Sequence, residues 1–113
     1  MNVRKDPSGY RTMWLFVFFD LPTLTPEQRK EHSRFRKRLE RFGFIRAQFS
    51  VYIQCFNNLD SCDAMKRQIT AVLPPGGEVR ILSVTDRQFE RMQVIQARKR
   101  IANESEPEIA LLF

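Results

Sequence analysis

Only two of the 113 residues are cysteine, one is histidine and four are glycine. Cys55 and Cys62 cannot build a disulfide framework, and His32 alone does not complete a four-ligand zinc site with them. They read as two buried thiols in a reducing compartment. Also missing are a glycine-rich phosphate loop, a Ser-His-Asp set with local context, internal repeats and low-complexity tracts. No apolar run approaches the roughly 20 residues of a membrane helix, so no membrane partner is expected. Met1 to Arg11 is polar and lacks the apolar stretch of a secretory signal, which makes a cytoplasmic address the expectation.

What remains is a small, basic, aromatic-rich chain. Nineteen Lys and Arg oppose 13 Asp and Glu for a formal charge of +6, with 42% hydrophobic and 12% aromatic residues. The apolar fraction is too high for disorder, and a chain of this length buries only about two-thirds of its unfolded surface. A second core or a large cofactor cradle is therefore excluded, and function has to come from a surface or from self-association. The charge favours a polyanionic partner, nucleic acid first. Residues 1–11, with Pro7, Ser8 and Gly9 among charges, read as a flexible arm. Residues 12–100 read as one domain and 101–113 as a tail.

Met13 to Phe19 is a run of seven apolar residues closed by Asp20, Leu21 and Pro22. It is too short for an ordinary helix and reads as a strand apolar on both faces. Both faces then need cover, one from helices and the other from a second copy of the chain. Thr25-Pro26-Glu27-Gln28 is a helix start, with Thr as N-cap, Pro at the first position and Gln closing a capping box. The helix should run to Phe42 and stop at Gly43. Phe35, Leu39 and Phe42 share its apolar stripe with His32, which reads as half-buried packing rather than as a catalyst.

Phe44 to Phe56 alternates, with Ile45, Ala47, Phe49, Val51, Ile53 and Cys55 pointing one way and Arg46, Gln48, Ser50, Tyr52 and Gln54 the other. Alternation leaves open one long strand or two short ones broken near Gln48 to Ser50. Asn58 to Leu73 reads as a second helix, ended by Pro74-Pro75-Gly76-Gly77. Glu78 to Thr85 reads as a strand, Asp86-Arg87 as a turn, and Phe89 to Gln96 as a further short strand with a helical reading open. The apolar tail Ile109 to Phe113 is expected to pair with a sheet edge. This order suggests an α+β, ferredoxin-like two-layer sandwich, an antiparallel sheet with helices on one face.

Two features carry chemistry. Asp20 is a carboxylate ending the most apolar strand just before a Pro turn. Spacing alone reads it first as turn chemistry bonding nearby backbone amides, with metal binding as the alternative. A magnesium site takes one or two carboxylates plus waters and substrate phosphates, so one Asp per chain is thin, and a two-fold dimer would double it. The second feature is the first helix, where Arg29, Lys30, Arg34, Arg36, Lys37, Arg38 and Arg41 oppose only Glu27, Glu31 and Glu40. With Arg46, and with Arg98 and Arg100 further on, they predict contact with phosphate backbones that is indifferent to base sequence and weakens steeply with salt.

The stretch Leu15-Phe16-Val17-Phe18-Phe19-Asp20-Leu21-Pro22-Thr23, the basic segment Arg34-Phe35-Arg36-Lys37-Arg38-Leu39, and Gly43-Phe44-Ile45 leading to Gln48-Phe49-Ser50-Val51-Tyr52 resemble the family of CRISPR-associated protein two. Leu82-Ser83-Val84-Thr85, Gln88-Phe89-Glu90-Arg91-Met92 and the tail from Ile101-Ala102-Asn103 add to the resemblance, which is strongest to the branch found in type II systems. The resemblance implies a ferredoxin-like fold, a symmetric homodimer with the C-terminal strand at the dimer edge, and two separate strands between the helices. It implies a spacer-acquisition role in which the dimer bridges copies of the larger integrase subunit and holds duplex DNA, the prespacer, by its backbone. The alternative it implies is a magnesium-dependent nuclease acting on RNA or DNA, with Asp20 as catalytic metal ligand. Arg34, Arg46 and Tyr52 match positions the family links to nucleic-acid handling or activity, while Arg36, Lys37, Arg38 and Arg41 share the basic helix.

Overall fold

A computed structural model describes residues 11–97. Within them the chain forms β1 (Met13–Asp20), α1 (Pro26–Arg41), β2 (Ile45–Gln48), β3 (Val51–Phe56), α2 (Leu59–Thr70), β4 (Glu78–Thr85) and a short α3 (Asp86–Glu90). The four strands make one antiparallel sheet in the order β2-β3-β1-β4. This is the ferredoxin-like sandwich expected from the sequence. The arm before Arg11, the basic cluster Arg98 to Arg100 and the apolar tail lie outside the described residues.

Helix α1 starts where its capping chemistry places it. The Thr25 side chain accepts from the Gln28 backbone N–H, and the Gln28 side chain accepts from the Thr25 N–H, at 3.1 Å each. It ends at Gly43, whose φ of +101° opens the left-handed region that stops the helix. The Phe44 N–H then reaches back to the Leu39 carbonyl at 3.0 Å. Phe35 and Leu39 of α1 and Cys62 and Ile69 of α2 join Met13, Leu15, Val17 and Phe19 of β1 in one core, so both long helices cover the same sheet face. Phe19 meets Phe35 edge-on at 5.3 Å and His32 at 5.5 Å, which accounts for the half-buried histidine as packing.

The other sheet face is largely open. Register pairs Phe16 with Ile53 and Leu82, and Phe18 with Val51 and Arg80, so these side chains share the face away from α1 and α2. Leu82 is 51% exposed and Ile45, opposite Ile53, is 64% exposed. The doubly apolar β1 therefore has its predicted helical cover on one side and only partial cover on the other. At one end of the open face Phe89 of α3 stacks on Trp14 with ring centroids 3.8 Å apart, and the Trp14 indole N–H donates to Asp86 at 2.8 Å.

Three expectations need correction. Phe89 to Gln96 is not a strand. Thr85 and Gln88 form a second capping box, which starts a helix at Asp86 in place of a simple turn, and residues 92–97 have no regular structure. Cys55 is exposed on the open face rather than buried, while Cys62 is buried as expected. Phe49 leaves the alternation of its neighbours, because β2 and β3 are separate strands with a register shift between Arg46 and Gln48 and a turn at Ser50, where φ is +65°.

Candidate nucleic-acid interface and carboxylate site

The basic residues of α1 fall into two groups. Arg34, Lys37, Arg38 and Arg41 recur at helical spacing and line one outward-facing cavity of about 350 Å³, together with Lys30 and Ser33. Arg34 also pairs with Glu31 at 2.7 Å, an exposed one-turn contact that leaves donors free. The cavity wall holds five cations and no carboxylate. A row of cations of this kind suits contact with successive phosphates. Lys30 and Ser33 belong to the strip, and the spacing from Lys30 to Arg34 and Lys37 was its signal in the sequence.

Arg36 stands apart from that row. It reaches Glu40 at 3.5 Å and Ser33 Oγ at 3.3 Å. The Tyr52 hydroxyl donates to the same Glu40 carboxylate at 3.4 Å. Tyr52 is 1% exposed and faces the helices, paired across the sheet with Val17 and Arg46. Burial first, and the Glu40 charge second, push its phenol above the ordinary value, while Arg36 and Arg46 pull partly the other way. Tyr52 thus ties β3 to α1 as a protonated donor. Arg46 lies beside it on β2, exposed, with its guanidinium 6.0 Å from the Phe49 ring centroid.

Asp20 lies on the opposite side of the sheet. It ends β1 on the open face, exposed, and lines a cavity of about 360 Å³ with Phe18, Ser50, Val51, Glu78 and Arg80. Its partner in the β1–β4 ladder is Glu78. Glu78 in turn pairs with Arg80 at 3.1 Å. The backbone here is held by a close approach: a Cβ on Gly77, at φ +77°, would lie 2.8 Å from the Asp20 carbonyl oxygen. The structure therefore does not bring Asp20 together with Tyr52 or with the α1 strip. It brings Asp20 together with Glu78 and Arg80, which the sequence reading did not single out because strand register is not written in one sequence.

The donors around Asp20 suit a hard cation, since the cavity offers carboxylate oxygens and no thiol or imidazole. Among the described residues no three His, Cys, Asp or Glu side chains gather as a closed metal cage. An ion such as magnesium would keep waters and substrate phosphates in its shell, as this ion ordinarily does. Among the described residues, no helix is long and apolar enough to cross a membrane.

Comparison with known proteins gives a consistent result. The family model described as CRISPR associated protein Cas2 matches residues 13–92. A protein of Paracidovorax avenae named CRISPR-associated endoribonuclease Cas2 is 40% identical over 106 residues, covering 94% of this chain and 98% of its own. Its namesake in Parvibaculum lavamentivorans is 41% identical, with 89% of this chain and all of the relative covered. One from Treponema denticola is 45% identical over 74% of this chain and 82% of its own.

Proposed function

The chain belongs to the Cas2 family of CRISPR-associated proteins, and from that premise we propose that it acts as a homodimeric spacer-acquisition subunit that holds duplex DNA and bridges the larger integrase subunit. The observation that carries this reading is the two-sidedness of the fold. An apolar sheet face with Phe16, Phe18 and Leu82 in register, on which Leu82 and Ile45 are mostly exposed, lies opposite a helix whose outer face carries Lys30, Arg34, Lys37, Arg38 and Arg41. Joining two sheet faces would remove an apolar surface that a lone domain rarely leaves uncovered. The cationic helices would then face outward on both sides of the pair, as one track for a polyanion. The unit from residue 12 to 100 would form the body of each protomer.

The test is spacer acquisition in cells. Reversing Lys37, Arg38 and Arg41 to Glu should abolish it, and Asp20→Asn should leave it largely intact. The opposite pattern would refute a scaffolding role.

A second reading is favoured by the Asp20 cavity and by the endoribonuclease name of the relatives. In it the protein hydrolyses phosphodiesters: a water oxygen bonds to phosphorus, the bond to the leaving sugar oxygen breaks, and that oxygen takes up a proton. Asp20 would hold magnesium, which when bound supplies Lewis-acid charge toward phosphoryl oxygens. Cleavage of RNA or DNA should disappear with chelator and with Asp20→Asn alike; cleavage that survives Asp20→Asn would end this reading.

A further inference from the structure

We propose that Phe49 is a stacking platform for an unpaired base of single-stranded nucleic acid, with Arg46 holding the adjoining phosphate, an inference that rests on the reading of this chain as a nucleic-acid binder. Among the described residues Phe49 is the only Phe, Tyr or Trp that stands mostly in solvent, at 76% exposure. One exposed apolar residue is ordinary on a protein surface; the setting is what distinguishes this one. Phe49 sits in the turn between β2 and β3, at the rim of the sheet. The next residue, Ser50, takes a φ of +65°, and its carbonyl accepts from the Phe19 N–H at 3.1 Å. The turn is pinned to the end of β1, so the ring is presented from a fixed backbone.

Two neighbours flank the ring without covering it. The His32 ring lies 6.5 Å away and 28° from parallel, and the Arg46 guanidinium lies 6.0 Å from the Phe49 centroid. A completed stack in this molecule is much closer, since the Trp14 and Phe89 centroids are 3.8 Å apart. Phe49 is therefore open to a planar partner. Every base offers such a plane, but inside a duplex both of its faces are taken by neighbouring pairs, so an aromatic platform of this kind selects unpaired bases. Arg46 supplies the cation for the phosphate next to the stacked base. Phe49 also walls the cavity of about 360 Å³ that Asp20 and Glu78 line. Those carboxylates disfavour a phosphate and admit an uncharged base. This orients the strand, with the base toward the cavity and the backbone toward Arg46.

The experiment measures fluorescence anisotropy of labelled oligo(U), oligo(dT) and duplex DNA with the full chain across a salt series. Phe49→Ala should weaken single-strand binding by about 5-fold or more and leave the duplex within about 2-fold of wild type. Phe49→Trp should restore the affinity, and Phe49→Leu, apolar but without a ring to stack, should not. Melting temperatures should match wild type, since little of this side chain is buried. Arg46→Gln should weaken single-strand binding and flatten its salt dependence. A loss on oligo(U), on oligo(dT) or on both upholds the platform and identifies the polymer. Single-strand affinity unchanged in Phe49→Ala, or an equal loss on the duplex, would overturn the inference and leave duplex binding by α1 in place. Unchanged single-strand affinity with weakened self-association would overturn it in favour of a protein contact at Phe49. Wild type that binds the duplex but neither single strand would overturn it alone; wild type that binds none of the three would overturn the nucleic-acid reading as well.

Discussion

The two sides of the sheet differ in what is finished. The helix side is a closed core in which Leu15, Val17, Leu39, Cys62 and Ile69 are fully buried, and its outer surface is a charged strip in solvent. The open side carries as many apolar residues from the same strands, yet Leu82 and Ile45 stay mostly exposed, and its carboxylates sit at the ends, Asp20 and Glu78 at one and Asp86 beside Trp14 at the other. The side with a completed core displays a strip of positive charge to solvent, and the incomplete side holds a pocket where two acids and an arginine meet. Binding and chemistry, if the chain does both, are thus separated by the thickness of a sheet, and each can be altered alone.

The sharpest way to break this separation is to reverse the helix strip. Changing Lys37, Arg38 and Arg41 to Glu should weaken duplex DNA binding by roughly 100-fold or more, and flatten the slope of log affinity against log salt by about 3 for each helix engaged. Fluorescence anisotropy across a salt series checks both. Asp20→Asn should move neither, because it lies on the other face; a matching loss from Asp20→Asn would mean that DNA runs along the sheet.

A smaller effect is expected at the strand ends. Gly77→Ala places a Cβ 2.6 Å from Leu21 Cδ2 and 2.8 Å from the Asp20 carbonyl oxygen, at φ +77°. Gly76→Ala has a similar φ of +76° and nothing within 4 Å. Both carry the left-handed penalty of about 1–2 kcal/mol, and Gly77→Ala should lose measurably more in urea unfolding. Its DNA binding should hold, since the helix strip is untouched. Equal losses at the two glycines would show that the close approach to Asp20 is slack.

The smallest effect belongs to the helix side. Tyr52→Phe removes the hydroxyl that donates to Glu40 and should cost about 1 kcal/mol. In the fold this phenol keeps its proton beyond the ordinary value of 10.0. Its contribution is therefore intact below pH 10 and is lost as pH rises through the raised value. The alkaline decline in stability should be steeper in wild type than in Tyr52→Phe. Identical pH profiles would show that Tyr52 is not held as the structure places it.

Local chemistry was legible in the sequence wherever one stretch of chain decides the outcome. Thr25, Pro26 and Gln28 mark the start of α1, and Gly43 its end. The same signature at Thr85 and Gln88 was present but lost to the apolar residues after it, which suggested a strand through Phe89 to Gln96 where α3 ends and irregular chain follows. Alternation in β3 separated Tyr52 from Ile53 correctly. It could not say which of the two sides the helices cover, because that depends on where α1 and α2 dock. Cys55 was misjudged for that reason, since its side is the open one. The pairing of Asp20 with Glu78 was out of reach altogether: the two are brought together by a ladder between β1 and β4, and register is a property of two strands rather than of either.

Sedimentation equilibrium at micromolar concentration most directly tests whether the open sheet face is completed by a second copy. Wild type should sediment at twice the 13.4 kDa of one chain, and Leu82→Glu, which buries a charge in the proposed interface without touching the helix core, should sediment as a single chain. Wild-type protein that remains a monomer at that concentration, or a Leu82→Glu variant that associates as well as wild type, would contradict it.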